Sequence, residues 1–70
     1  MSEESLRGFF ADVREGLNIN LGAFCDRNMI FRSDFSNFMN KKKYYVSLYE
    51  LELMKDDIMK HLTEFIKIYE

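Results

Sequence analysis

Side chains able to do chemistry are scarce in this sequence, and their spacing excludes most catalytic arrangements. His61 is the single histidine and Cys25 the single cysteine, so no metal quartet and no nucleophile–base pair can be assembled from them. The three glycines, Gly8, Gly16 and Gly22, stand apart, which leaves no glycine-rich loop to cradle a phosphate. Asp56 and Asp57 are adjacent and point to different sides of a helix, so they cannot share a proton as an acid–base pair. The inventory points away from an enzyme, and away from a metal, a cofactor or a small-molecule substrate. What remains is binding, to nucleic acid, to another protein or to a second copy of the chain.

The cations are more informative. The formal net charge is −2, but it is unevenly spread. Residues 1–26 carry Arg7 and Arg14 against five acids and sum to −3. Residues 27–43 carry Arg27, Arg32, Lys41, Lys42 and Lys43 against Asp34 alone and sum to +4, while 44–70 sum again to −3. A basic centre between acidic ends is the pattern of one face made for an anion. An isolated lysine triplet is by default a solvated loop. It gains meaning only if the residues before it form something that reads DNA.

The elements that must position these residues are helical. Seventy residues make a single domain, 1–70, with 47% hydrophobic residues, eleven aromatics, no proline and no tryptophan. That composition supplies a core for a small chain and argues against disorder and against a turn-rich β protein. The lone cysteine fits a reducing cytoplasm. The apolar runs are too short to span a membrane, and the acidic start Met1-Ser-Glu-Glu predicts no signal peptide.

Four segments carry helix signals. Ser2 precedes Glu3 and Glu4 as an N-cap, and Leu6, Phe10, Val13 and Leu17 recur at helical spacing, with Gly16 placed to end the helix in a left-handed conformation. Asn20 caps a short second helix, Leu21–Arg27, with Asn28 to close it. Met29-Ile30-Phe31 forms a tight turn. A third helix follows over about 32–40, with Ser33 as its expected cap. Phe35, Phe38 and Met39 form its inner face, and Arg32, Ser33, Ser36, Asn37 and Asn40 its outer one. That outer face is rich in small or flat hydrogen-bonding groups, where a purely solvated face more often carries Glu and Lys.

After Lys41–Lys43 and the β-prone Tyr44-Tyr45-Val46, the stretch Ser47-Leu48-Tyr49-Glu50 spells a capping box. No Gly or Pro interrupts 47–69, and Leu51, Met54, Ile58, Leu62, Phe65 and Tyr69 form one stripe. Unbroken, this helix is about 34 Å long, more than a domain of this size needs. Its end, residues 62–70, is therefore expected either to meet another chain or to fold back after a break near Leu62–Thr63.

Two short helices joined by a three-residue turn, the second polar on its outer side, have the form of a helix-turn-helix. The stretch INLGAFCDRNMIFRSDFSNFMNK, Ile19 to Lys41, resembles that of the phage repressor family (Cro/CI-like, XRE-like). The family's small residue in the first helix, its hydrophobic residue after the turn and its hydrophobic–Ser pair in the second helix are Cys25, Ile30, Phe35 and Ser36 here. Its Leu-Asn-Gly-like ending followed by a basic residue is Met39-Asn40-Lys41-Lys42. Three positions depart from the pattern. Met29 stands where the turn has Gly, Phe31 where Ser opens the second helix, and Leu21 where Gln opens the first.

The resemblance implies an all-α bundle of four to five helices, lambda-repressor-like, in a cytoplasmic, bacterial or phage-encoded regulator of transcription bound to double-stranded DNA. The third helix then enters the major groove. Arg32 pairs with guanine O6 and N7, Asn37 with adenine N6 and N7, and Ser33 and Ser36 lie against base edges or phosphate. Asn40, Lys41, Lys42 and Lys43 hold the backbone. Such proteins work as dimers on paired half-sites, for which Phe65, Ile66, Ile68 and Tyr69 are the candidate contact. A rival expectation is a protein-interaction module of the same shape, such as an antirepressor, that docks Phe31 on a partner repressor. The overall acidity, Leu21 and the apolar Phe31 favour it.

Overall fold

The helix signals resolve in a computed structural model that describes residues 1–69, with Tyr69 described in its backbone alone. Four helices occur among the described residues, α1 (Glu3–Gly16), α2 (Leu21–Arg27), α3 (Arg32–Met39) and α4 (Leu48–Tyr69), and no strand. Tyr44–Val46 forms no strand.

The N-terminal caps follow side-chain chemistry. The Ser2 hydroxyl accepts from the Ser5 N–H at 3.2 Å, Asn20 Oδ1 accepts from Ala23 N–H at 3.3 Å, and the Ser47 hydroxyl accepts from Glu50 N–H at 3.1 Å. Each satisfies a donor that the first helical turn leaves without a partner. Helix α3 is the exception and corrects the expectation for Ser33. Phe31 stands at its N-cap with no side-chain bond, and the Phe35 N–H already donates to the Phe31 carbonyl at 3.0 Å. Burying Ile30 and Phe35 together starts the helix two residues earlier than a Ser33 cap would allow.

The C-termini hold a second correction. Gly16 is an ordinary helical residue, and the left-handed positions are Asn18 (φ 55), Met29 (φ 58) and Lys41 (φ 59). Asn18 lets the Ile19 N–H return to the Val13 carbonyl at 3.2 Å. Asn28 keeps a negative φ of −102, and Met29 makes the turn, after which the Ile30 N–H donates to Cys25 O at 2.9 Å. Lys41 plays the same part after α3, where the Lys42 N–H reaches Asn37 O at 2.8 Å.

The core is a single cluster. Leu6, Phe10 and Val13 of α1, Leu21 and Cys25 of α2, Ile30, Phe35 and Phe38, Val46, and Leu51, Met54 and Ile58 of α4 are all buried. Phe10 meets Phe35 edge-on at 5.1 Å, and Phe38 meets Tyr44 at 5.0 Å. Leu17, assigned to the α1 stripe by spacing, is exposed because the helix has ended before it. Helix α4 crosses α1 and α2 and runs unbroken for 22 residues, about 33 Å. No fold-back occurs near Leu62–Thr63 within the described residues. Ile58 is its last fully buried residue, and Phe65, Ile66 and Ile68 project exposed beyond the core.

Two polar devices fix α3 against the rest. Asp34 accepts from the backbone N–H groups of Tyr45 (2.9 Å) and Val46 (2.7 Å), which straps the loop after α3 onto its first turn. Arg7 of α1 donates through Nε to the Phe38 carbonyl at 2.7 Å and lies over the Phe38 ring at 4.5 Å. A charged donor on a carbonyl near a helix C-terminus is favourable for the bond and for the helix dipole.

Candidate nucleic-acid interface

Helix α3 buries Phe35 and Phe38 and turns Arg32, Ser33, Ser36, Asn37 and Asn40 outward. At 100° per residue these five positions cover a continuous arc of about 140°. All are exposed except Asn37, which is half-buried. The arc divides into two sides. Arg32, Ser36 and Asn40 line a shallow groove with Arg14 of α1, Gly22 of α2 and the α2 cap Asn20. Ser33 and Asn37 line another with Phe31, Asp34 and Tyr45. Within the first groove the Asn40 amide donates to the Ser36 hydroxyl at 3.3 Å.

Arg32 is held rather than loose. Its Nε and Nη2 donate to the two carboxylate oxygens of Asp26 at 3.1 and 2.6 Å. These bonds hold the Asp26 carboxyl below its ordinary range and raise the Arg32 guanidinium further. Arg27 is likewise engaged, with Nε and Nη2 on Asp57 at 3.0 and 3.1 Å. Asn28 adds a third donor to that carboxylate at 3.1 Å. The Arg27 hydrogen bond is the leading reason that Asp57 titrates below the usual carboxylate range.

Two of the five cations in the basic centre are therefore matched by acids that lie outside it or at its border. The positive charge left without an ion pair among the described residues is Lys41, Lys42 and Lys43, all exposed. Lys43 Nζ sits 5.5 Å from the centre of the Tyr45 ring.

Phe31 opens onto solvent beside two further large apolar residues. Met29, Phe31 and Tyr45 are 91%, 81% and 80% exposed. A second apolar groove, lined by Leu17, Ile19, Leu62, Phe65 and Ile66, lies where the end of α4 passes the α1–α2 connection. Ile68 is exposed on the same stretch of α4, whereas the side chain of Tyr69, also expected to make contacts, lies outside the described residues.

Cys25 is fully buried, and burial pushes its thiol up to about 11. It fills the space between helices as a small apolar residue. His61 stands on the surface of α4, edge-on to Phe24 at 5.3 Å. No helix among the described residues is long and apolar enough to cross a membrane.

Asp26, Gly22, Arg14 and Asn20 belong to the α3 face, yet residue type and spacing do not single them out for it. Gly22 offers one usable signal. A glycine inside a helix costs about 1 kcal/mol against alanine, so it calls for a packing reason. No family model matches the chain, and no curated protein or solved structure is significantly similar to it.

Proposed function

We propose that this chain is a small regulator of transcription that binds double-stranded DNA, with α2 and α3 as a helix-turn-helix and the outer face of α3 in the major groove. The observation that carries the reading is the α3 arc. Five polar residues with short or planar hydrogen-bonding groups project from one exposed helix, and three lysines without an ion-pair partner follow at its end. An α-helix with its side chains is about 10–12 Å across, which suits a major groove about 12 Å wide. Arg32 and Asn37 read bases, Ser33 and Ser36 touch base edges or phosphate, and Asn40 with Lys41, Lys42 and Lys43 grips the backbone. Met29 in the left-handed conformation supports the comparison with the repressor family. It takes the backbone geometry for which that family uses glycine.

The exposed end of α4 suits pairing of two copies on two half-sites. Truncation after Leu62 then leaves the domain folded and abolishes self-association in sedimentation. The whole reading is tested by selecting a preferred sequence from random duplex and replacing Arg32 or Asn37 with Ala. Affinity for the selected site should fall while non-specific affinity changes much less. Equal loss on all sequences, or none, overturns the base-reading roles.

One observation favours a second reading. The Met29, Phe31 and Tyr45 patch is apolar where a DNA-facing turn would gain from polarity, and it suits docking on a partner protein such as a repressor. In that case Phe31→Ala abolishes partner binding, and changes at Arg32 or Lys41–Lys43 have little effect.

A further inference from the structure

We propose that Gly22 and Asp26 on α2 form a seat that fixes the Arg32 guanidinium and presents its terminal edge outward, so that α3 reads a guanine at one set position; this rests on the DNA-binding reading above. Two independent features build the seat. The first is the side-on pair. Asp26 Oδ1 and Oδ2 take one N–H each from Nε and Nη2. A guanidinium carries five N–H donors in a rigid plane, so two on Nη1 and one on Nη2 remain. None of these three makes a hydrogen bond among the described residues.

The edge left over, Nη1 with Nη2, is the one that pairs with guanine O6 and N7. Asp26 therefore does not compete with the base for the same donors.

The second feature is the missing side chain of Gly22. A Cβ built there would stand 2.8 Å from Nη1, 2.9 Å from Cζ and 3.1 Å from Nε of Arg32. Three atoms of the plane at nearly equal distance mean that the face of the guanidinium lies over the glycine. Gly22 and Asp26 are four residues apart and so lie on the same side of α2. One supports the face of the group, and the other holds its inner edge. An arginine on a mobile stem must lose rotamer freedom when it binds, and ordering it beforehand lowers that cost.

Asp26 and Gly22 are thus positioning residues, and Arg32 is the residue in contact. Their effect must show in sequence preference and not only in affinity. The test is selection from a random-sequence duplex pool with the full chain, followed by titration of the selected duplex and of the same duplex with G·C changed to A·T at the preferred guanine.

The wild-type chain should select one invariant guanine whose preference is lost with Arg32→Ala. Asp26→Ala should cut that preference about tenfold, with non-specific binding held or strengthened because an acid has left a DNA-facing surface. Asp26→Glu should restore part of the preference. Gly22→Ala should displace the guanidinium and cut the preference similarly, without lowering the melting temperature, since alanine favours the helix.

If Asp26→Ala tightens binding to every duplex equally and leaves the guanine preference intact, Asp26 only repels phosphate and the seat is refuted. A selected site with no Arg32-dependent guanine also refutes it while leaving DNA binding standing. Failure to bind any duplex at low salt removes the DNA-binding reading and this inference with it.

Discussion

Replacing Met29 with glycine should stabilise the protein. Met29 holds φ 58 in the turn between α2 and α3, a conformation that costs an L-residue about 1–2 kcal/mol through the clash of Cβ with the following carbonyl. Its side chain is 91% exposed, so truncation forfeits almost no buried area. Glycine removes the clash but gives the unfolded chain more freedom, which offsets about 0.4–1 kcal/mol. The balance is a gain of about 0.5–1 kcal/mol, which for a domain of this size raises Tm by about 2–8 °C.

Thermal unfolding followed by circular dichroism measures this, with Met29→Ala as the control. Alanine keeps the clash and should leave Tm unchanged or slightly lower. A Met29→Gly variant that melts no higher than Met29→Ala would refute the left-handed turn or the exposure of Met29. The same variant bears on the rival function, because a partner that docks on Met29 and Phe31 should bind it less well although it is more stable.

Three further outcomes follow from particular contacts. Arg7→Ala removes a charged hydrogen bond to the Phe38 carbonyl and a ring contact by a side chain that is only 13% exposed; it should cost about 2 kcal/mol in urea unfolding, and an unchanged midpoint would refute that role. Asp57 has its pKa lowered on folding by Arg27, so the stability it contributes is full above the ordinary carboxylate range of about pH 4 and is lost as pH falls through the lowered value. Asp57→Asn should therefore be less stable at neutral pH and converge with the wild type in acid, and a constant difference across pH would count against the clamp. Cys25, buried with its thiol raised to about 11, should resist alkylation in the folded protein at mildly alkaline pH and react on unfolding, whereas rapid reaction of the native chain would contradict its burial.

What is legible in the sequence divides along a physical line. Caps and stripes are local. Ser2, Asn20 and Ser47 are readable from residue type and position, and so are the buried faces Leu6–Phe10–Val13, Phe35–Phe38 and Leu51–Met54–Ile58. The choice of left-handed residue is not local. After α2, Asn28 is better suited by propensity than Met29, and after α1 the left-handed residue is Asn18 and not Gly16. Yet the chain must pack Ile19 against the core and bury Ile30 just after α1 and α2, and that packing sets the register of each turn.

The start of α3 departs from the Ser33 cap for the same reason, since Ile30 and Phe35 are held by packing. At the candidate site, the outer-face residues of α3 are readable from helical periodicity. Their partners are not. Nothing in the spacing links Arg32 to Asp26 across a turn, or Arg27 to Asp57 thirty residues away, and the charge sum over 27–43 counts both arginines as free.

The central claim is that the end of α3 grips the backbone of double-stranded DNA. Its most direct test is an electrophoretic shift of random-sequence duplex over a salt series, comparing the wild-type chain with a variant carrying Lys41→Gln, Lys42→Gln and Lys43→Gln. All three lysines are exposed and outside the core, so the variant should fold normally. The wild type should bind with affinity that falls steeply as salt rises. The variant should bind more weakly, with a slope shallower by about three units, close to one for each phosphate no longer neutralised. No shift of any duplex at the lowest salt, or the same slope for both proteins, would contradict the account.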